Sequence, residues 1–231
     1  MVEMDEKTRQ KLIEIRQVLI DFFGMPEWRD PLPPVGELVS TILSQNTNDD
    51  NRDVAFQNLV ASFDDWQSVM NADTQAVIDA IRTAGLGNQK GPRIQGALRA
   101  IATATDGSLN LEFLRELPRE EARGWLMDIK GVGPKTAAIV LLFSMGIPAF
   151  PVDTHIYRVT GRLGIRPEGL SVEKTHTYLE ARIPEEAYYD LHLNLIRLGR
   201  EICGARNWHC YRCPLVDLCD YDQKKLTPPE K

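Results

Sequence analysis

Apolar residues recur along most of the chain at intervals of three and four, which is the spacing of an amphipathic α-helix. A first helix is predicted to end at Gly24 and Pro26. Its apolar face consists of Leu12, Ile15, Val18, Leu19, Phe22 and Phe23. A second helix is predicted from Val35 to Ser44, after a proline-rich linker. No stretch alternates with the two-residue period of a β-strand, so the pattern predicts an all-α fold with short connections.

Three further helices are predicted in the middle of the chain. The first is capped by Asp73 and ends at Gly85. The second extends from Glu120 to Ile129, and a long apolar helix follows from Pro134 to Met145. That helix contains the longest apolar run of the sequence, Ala137 to Phe143, which predicts a buried core helix.

Composition is that of a globular protein, with 43% hydrophobic and 26% charged residues in 231. This length allows one large domain or two small ones. No stretch approaches the roughly 20 apolar residues that a membrane span needs. The first residues contain no apolar signal segment. We therefore expect an intracellular protein, of a prokaryotic cytoplasm or nucleoid, with no membrane partner.

The net charge of −6 argues only weakly against a nucleic-acid partner, because DNA binding needs one basic face and not a basic chain. Basic residues are concentrated in residues 81–100 and 154–166, which contain no acidic residue. They are Arg82, Lys90, Arg93, Arg99, Arg158, Arg162 and Arg166. Each segment is either a solvated face or part of a DNA-binding surface.

Four cysteines lie close together near the end of the sequence, in the pattern C-x6-C-x2-C-x5-C. They are Cys203, Cys210, Cys213 and Cys219. Two disulfides would suit a secreted protein, which nothing in the sequence indicates. The remaining interpretation is that the four thiolates bind either zinc or an iron–sulfur cluster. Zinc sites usually pair two short C-x2–4-C motifs, so the single such pair here favours a cluster while leaving zinc open.

A glycine-containing turn, Gly131-Val132-Gly133, joins two predicted helices. Two glycines allow backbone angles and a close approach that a Cβ would prevent. Their amides, at the start of the next helix, are suited to binding a phosphate oxygen of DNA without reading its sequence. The alternative is an ordinary helix C-cap followed by a tight turn.

Lys135 and Asp153 are the candidate reactive residues. The N-terminal end of a helix disfavours a lysine cation, and partial desolvation would further favour the neutral, nucleophilic amine of Lys135. Asp153 has the position of a helix N-cap, and its carboxylate could also stabilise positive charge that develops on a sugar. The alternative for Lys135 is a solvated surface lysine.

Taken together, the motifs G-V-G-P-K-T-A, P-V-D-T-H-I-Y-R-V and C-x6-C-x2-C-x5-C resemble those of the endonuclease III family of helix-hairpin-helix DNA glycosylases. The resemblance extends from Leu38 to Cys219. It implies a two-lobed all-α protein, with a helical barrel lobe at 35–148 and a second lobe made of 1–34 and 149–231. It further implies a [4Fe–4S] cluster in the loop 203–219. The protein is expected to be a monomer that binds double-stranded DNA with damaged bases or abasic sites, with the DNA across the cleft between the lobes.

The same resemblance assigns roles to single residues. Lys135 corresponds to the family's Schiff-base lysine, whose imine permits β-elimination 3′ to the lesion. Asp153 corresponds to the family's catalytic aspartate. Gln45 lies where the family inserts a glutamine into the space of the flipped base, and Leu86 where it places a wedge in the other strand. The hairpin residues expected at the DNA backbone are Gly131, Val132, Gly133 and Thr136.

Two departures from the family pattern affect the expected substrate. The segment S-Q-N-T-N-D around Gln45 replaces the S-A-Q-A-T-D of better-known bacterial members. It is closer to archaeal and divergent branches, some of which excise methylated or mismatched pyrimidines, so oxidised pyrimidines are not the only candidate substrates. Pro134 replaces a basic residue often found before the lysine, which removes one possible phosphate contact.

Other activities fit the sequence less well. An adenine glycosylase of the same superfamily would carry a glutamate near Ser40, no lysine at position 135 and an extra C-terminal domain. A mismatch-type thymine glycosylase would typically have an aromatic residue at position 135. A non-catalytic DNA-binding iron–sulfur protein would need neither Lys135 nor Asp153, so the presence of both favours an enzyme.

Overall fold

The computed structural model describes residues 2–28 and 30–228, and these residues form eleven α-helices connected by short 3-10 turns. Within these ranges there is no β-strand, only one isolated antiparallel bridge between Cys203 and Trp208. The prediction of an all-α fold is therefore confirmed. Among the helices described, none is long and apolar enough to cross a membrane.

The helices are grouped into two compact units. The central unit comprises Asp30–Ile147, and the terminal unit comprises Met1–Arg29 together with Pro148–Lys231. That each unit folds as a lobe of its own stays a prediction.

The central unit is built around helix α2, Pro34–Ser44, whose residues from Val35 to Leu43 are all buried. Helices α3, α6 and α8 pack against α2. The other helices of this unit are α3 (Asp49–Ser62), α4 (Trp66–Asn71), α5 (Thr74–Ala80), α6 (Gly87–Ala104), α7 (Arg119–Asp128) and α8 (Pro134–Ile139). Helix α2 is thus buried on all sides, as expected at the centre of a helical domain, although it contains Glu37, Ser40 and Thr41.

The long apolar helix predicted from Pro134 to Met145 is only partly α-helical. It is α8 as far as Ile139, and Val140–Ser144 forms one turn of π-helix. The wider turn keeps Val140, Leu141, Leu142 and Phe143 all buried. Periodicity does not predict this change, because the apolar run has no polar position to mark its register.

The helix predicted to end at Gly85 is shorter than expected. Asp73 caps α5 as predicted, since its Oδ1 accepts a hydrogen bond from the amide of Gln75 at 2.7 Å. The helix ends at Ala80, and a 3-10 turn, Arg82–Ala84, continues to Gly85.

The terminal unit contains helices α1 (Val2–Phe23), α9 (Thr154–Arg162), α10 (Val172–Glu180) and α11 (Tyr188–Glu201). Helix α11 packs against both α1 and α9. The contact of α1 with α11 includes a paired set of hydrogen bonds from Arg16 to the buried carboxylate of Asp190, at 2.8 and 2.7 Å. Helices α1 and α11, which are far apart in the sequence, are thus joined within one core.

Candidate functional site

The glycine-containing turn forms a hairpin between α7 and α8. Gly131 has a φ of +92°, a left-handed conformation that favours glycine. The amide of Val132 donates to the carbonyl oxygen of Ile129 at 2.9 Å, and Pro134 has no amide hydrogen. The remaining amides of the turn, those of Gly131 and Gly133, are therefore its candidate donors to a phosphate.

Gly131 also has no room for a side chain. A Cβ added at this position would lie 2.8 Å from Cδ of Arg93, on α6. Gly133 differs, because its φ is −106° and an added Cβ would have no neighbour within 4 Å. A side chain at position 131 would therefore press on Arg93, whereas a side chain at position 133 would extend into open space.

Gln45 lies against this hairpin, although 86 residues separate it from Gly131. Its Nε2 donates to the carbonyl oxygen of Gly131 at 3.1 Å, and its Oε1 accepts from Nη1 of Arg93 at 3.0 Å. The structure therefore brings together two of the predicted DNA-contacting elements, the Gln45 segment and the hairpin.

Lys135 lies in the first turn of α8 and is partly exposed. Its side chain makes no hydrogen bond or ion pair with any residue in the described ranges, so its amine is available to a substrate. The neighbouring side chains point inward, with Val132 6% and Thr136 5% exposed. Any contact of these two residues with DNA would have to involve mainly their backbone.

Leu86 is an exposed apolar residue in a rare conformation. It is 45% exposed, and its φ of 52° is left-handed, which is uncommon for a residue with a Cβ. It is the N-cap of α6, and its carbonyl oxygen accepts hydrogen bonds from the amides of Gln89 and Lys90. The side chain is therefore displayed at a helix start, as a wedge residue would have to be.

The expectation that Lys90 lies on a basic face is wrong, because the residue is completely buried. Its Nζ donates to the carbonyl oxygens of Leu43 at 2.7 Å and Ala84 at 2.8 Å. Burial lowers the pKa of Lys90, and the nearby charge of Arg93 lowers it further. The sequence holds no signal for this role, since an isolated lysine in a helix is usually solvated.

The basic segment 81–100 is largely engaged within the protein. Arg82 forms an ion pair with Asp79 at 2.5 Å, and Arg99 donates to the carbonyl oxygen of Met70 at 3.2 Å. Arg93 binds Gln45, as described above. Lys90 and Arg99 thus serve internal contacts, whereas Arg82 remains exposed to solvent.

The arginines of residues 154–166 likewise serve internal contacts. Arg158 donates to the carbonyl oxygens of Cys203 at 3.0 Å and Gly199 at 2.9 Å. Arg166 lies over the ring of Tyr157, 3.8 Å from its centroid. This segment fixes the terminal unit and does not form a free basic surface.

Asp153, in the terminal unit, is the N-cap of α9. Its Oδ1 accepts a hydrogen bond from the amide of Ile156 at 2.8 Å. The predicted capping role is thus present, and one carboxylate oxygen is used for it.

The segment that leads to Asp153 is held by three side chains. Nδ1 of His176 lies 3.0 Å from the carbonyl oxygen of Phe150, and Nδ1 of His192 lies 2.9 Å from that of Pro151. A carbonyl oxygen only accepts, so each Nδ1 carries the proton. The amide of Phe150 donates to Glu180 at 2.7 Å. Side chains from α10 and α11 therefore set the backbone position from which Asp153 projects.

All four cysteines line one cavity of the terminal unit, with an empty volume of about 420 Å³ that includes some open solvent. Each cysteine is partly buried and forms no disulfide. The cavity is otherwise mainly apolar, with Val159, Leu163, Leu198, Ile202 and Val216 in its walls. Four thiols in one apolar cavity form a donor set that fits a thiolate-bound metal cluster shielded from water.

Arg162 connects α9 to this cavity. Its Nη1 donates to Sγ of Cys203 at 3.2 Å and to the carbonyl oxygen of Gly204 at 2.9 Å. The guanidinium carbon lies 4.8 Å from the ring centroids of both Trp208 and Tyr221. Arg162 thus ties α9 to the loop that contains the cysteines.

The cysteines are not arranged around a single ion. Within residues 2–28 and 30–228, no group of three or more His, Cys, Asp or Glu side chains is placed to hold one metal ion. Burial raises the pKa of the Cys213 thiol to about 11, and the neighbouring cysteines add to this effect. Without bound metal the Cys213 thiol is therefore protonated at neutral pH.

Comparisons with known proteins identify the kind of molecule. Residues 39–185 match the family model of the HhH-GPD superfamily of base excision DNA repair proteins. An inferred DNA glycosylase of Arabidopsis thaliana is 40% identical over 193 residues, which cover 79% of this chain and 65% of that relative. Endonuclease III of Sulfolobus acidocaldarius is 36% identical over 186 residues, which cover 80% of each chain.

A solved structure shows the same fold. The endonuclease III chain in a trapped covalent intermediate with DNA superposes with a TM-score of 0.79 at 27% identity. The superposition covers 92% of this chain and 95% of that chain. Because so little of either chain is left out, the likeness includes helices of both units.

Proposed function

Because the chain belongs to the HhH-GPD superfamily of base excision DNA repair proteins, and to the endonuclease III family within it, we propose that it is a DNA glycosylase with abasic-site lyase activity. Its substrate is double-stranded DNA that contains a damaged base, with oxidised pyrimidines as the first candidates. The observation that carries the proposal is that the side chain of Lys135 makes no hydrogen bond or ion pair with the described residues. Lys135 directly follows the hairpin, as in the family's motif.

In the proposed reaction Lys135 is the nucleophile. Its neutral Nζ attacks C1′ of the damaged nucleotide, and the bond from C1′ to the base breaks with its electron pair leaving on the base. Loss of the amine proton and opening of the sugar give an imine between Lys135 and C1′. A proton is then lost from C2′, and the bond from C3′ to its phosphate oxygen breaks, which nicks the strand 3′ to the lesion. The trapped covalent complex of endonuclease III with DNA supports a covalent route.

Asp153 would act electrostatically in the same reaction. One of its carboxylate oxygens caps α9, and the other accepts no hydrogen bond from the described residues that would compete with a substrate. A carboxylate near C1′ stabilises the positive charge that develops on the sugar as the base leaves. The three side chains that hold residues 150 and 151 would limit the movement of this carboxylate.

Extrusion of the base would depend on the central unit. The hairpin binds the DNA backbone through the amides of Gly131 and Gly133, Gln45 fills the space that the flipped base leaves, and Leu86 enters the opposite strand. The exposed position of Leu86 and the contact of Gln45 with the hairpin support this arrangement.

Cys203, Cys210, Cys213 and Cys219 would hold a [4Fe–4S] cluster. Support comes from their common apolar cavity. Such a cluster would cross-link four positions of the loop 203–219 that follows α11, and no step of base removal would pass through it.

A covalent trapping assay tests the lyase mechanism. The cluster-loaded protein is incubated with duplexes that contain an abasic site or thymine glycol, and borohydride is added to reduce any imine. The wild type and Lys130→Gln are expected to form a covalent adduct, whereas Lys135→Gln forms none. Lys130 is a matched control because it is an exposed lysine at the start of the same hairpin. Failure of the wild type to form an adduct on either duplex would refute the lysine mechanism.

The base preference needs a separate panel. Excision of thymine glycol, of thymine opposite guanine and of 5-methylcytosine would be compared at equal enzyme concentration. We expect thymine glycol to be removed fastest. Faster removal of one of the other two would assign the enzyme to mismatched or methylated pyrimidines, as the divergent segment around Gln45 allows.

A further inference from the structure

Lys90 connects two segments that are distant in sequence. It lies in the first turns of α6 and is 0% exposed, although it is a lysine. Its Nζ binds the carbonyl oxygen of Leu43, two residues before Gln45, and that of Ala84, two residues before Leu86. One buried amine thus holds the backbone next to both side chains that are proposed to enter the duplex.

Lys90 completes the C-terminal end of α2. The last four carbonyl groups of an α-helix have no partner within the helix. In α2 those of Thr41, Ile42 and Ser44 accept from Ser44 Oγ, Gln45 and Thr47, respectively. The carbonyl of Leu43 accepts from Lys90. A donor at position 90 is therefore needed to end α2 where it does.

Both segments also have strained backbone immediately beyond these contacts. Asn46, next to Gln45, has a φ of 54°, and Leu86 has a φ of 52°. A left-handed conformation is disfavoured for a residue with a Cβ, more for leucine than for asparagine, so at Leu86 above all it persists only where surrounding contacts impose it. Lys90 supplies one such contact to each segment.

We propose that Lys90 is a positioning residue that fixes the Gln45 and Leu86 segments relative to each other, and so sets how both side chains enter a DNA duplex. The proposal rests on the proposed function, because it assigns Lys90 a part in base extrusion. Lys90 itself is buried and does not touch DNA.

The test compares Lys90→Met with Gln95→Met. Met has nearly the length of Lys but cannot donate, so Lys90→Met leaves both carbonyl oxygens without their partner. Gln95 is a matched control, because it is a buried residue of the same helix that also donates to two carbonyl oxygens, those of Val69 at 3.1 Å and Ala72 at 2.9 Å. Neither of its acceptors adjoins Gln45 or Leu86.

Each variant is assayed under single-turnover conditions on two substrates that contain the same lesion. In one the lesion is base-paired, and in the other it lies in a short internal bubble, where extrusion costs less. Lys90→Met is expected to slow excision from the paired duplex about tenfold more than from the bubble. Gln95→Met is expected to change both rates by the same factor. Adding Leu86→Ala to Lys90→Met should produce no further change in the ratio of the two rates.

Equal slowing of both substrates by Lys90→Met, in the manner of Gln95→Met, would overturn the positioning role. If circular dichroism shows that Lys90→Met does not fold, Lys90→Gln takes its place, because an amide keeps a donor in the polar site and should fold. A wild type that excises no lesion of the panel refutes the glycosylase proposal instead, and nicking of paired and bubble abasic sites then tests Lys90 separately.

Discussion

The side-chain Nε2 of Gln45 donates to the carbonyl oxygen of Gly131 at 3.1 Å, and this bond joins the end of α2 to the hairpin. Arg93 binds the other end of the same amide. The side chain of Gln45 therefore contacts the hairpin, and its proposed entry into a duplex would require both hydrogen bonds to break. Each such bond contributes about 1 kcal/mol net, which is small enough for DNA contacts to replace.

Gly131→Ala is expected to lower the free energy of unfolding by about 2 kcal/mol. Alanine would have to adopt a φ of +92°, and its Cβ would press on Arg93. Urea denaturation measures the change. Gly133→Ala is the control and should alter stability by less than about 0.5 kcal/mol, because its backbone is unstrained and its surroundings are open.

The same pair of variants tests the hairpin as a DNA-binding element. Gly133→Ala should weaken binding to an abasic duplex although its stability is retained, because a methyl group would separate the backbone from a phosphate. Unchanged affinity in a fluorescence titration would show that the DNA backbone does not approach Gly133.

Asp153→Asn and Asp153→Ala separate the two roles of Asp153. Asparagine caps helices as well as aspartate does, so Asp153→Asn should stay within about 0.5 kcal/mol of wild-type stability. Its excision rate should fall about a hundredfold, since the charge that stabilises the sugar is lost. Asp153→Ala should lose about 1 kcal/mol of stability in addition. Wild-type excision by Asp153→Asn would leave capping as the only function of this residue.

Cys213→Ala is expected to abolish an absorption band near roughly 400 nm and to leave the protein with little iron. His209→Asn changes another residue that lines the cavity and should keep both the band and about four iron atoms per chain. Iron and zinc analysis of the purified proteins provides the measurement. A colourless wild type with one zinc per chain would contradict the cluster.

Arg16→Met should destabilise the protein by about 2 kcal/mol, because it leaves the buried carboxylate of Asp190 without its partner. Arg82→Met breaks an exposed ion pair with Asp79 and should leave the stability almost unchanged. Thermal melts of the two variants compare the effects. Equal losses of stability in the two variants would mean that the burial of Asp190 does not strengthen its ion pair with Arg16.

Local pattern predicted the hairpin and the helices α1, α2, α5, α7 and the start of α8, but not α3, α4, α6, α10 or α11. The apolar spacing gave α2 to within one residue, and Asp73 and Asp153 cap helices where their sequence context indicates. These features depend on contacts between residues a few positions apart, which is the range over which sequence pattern is informative.

Contacts between distant segments could not be predicted in this way. Nothing in the sequence indicates that Gln45 meets Gly131, or that Lys90 is buried between Leu43 and Ala84. The sequence also could not show which arginines of the two basic segments make internal contacts. An arginine that donates to a carbonyl oxygen has the same sequence pattern as a solvated arginine. The π-helical turn at Val140–Ser144 likewise depends on packing and not on composition.

The packing of α1 on α11 has a consequence for the order of events during synthesis. The apolar face of α1, with Leu12, Ile15 and Leu19, leaves the ribosome long before α11 exists to cover it. At roughly 5–20 residues per second, α1 waits about 10–40 s for its partner helix. The cysteines emerge later still, so the proposed metal cluster would be inserted only into a chain whose α-helices α1 to α11 have already been made.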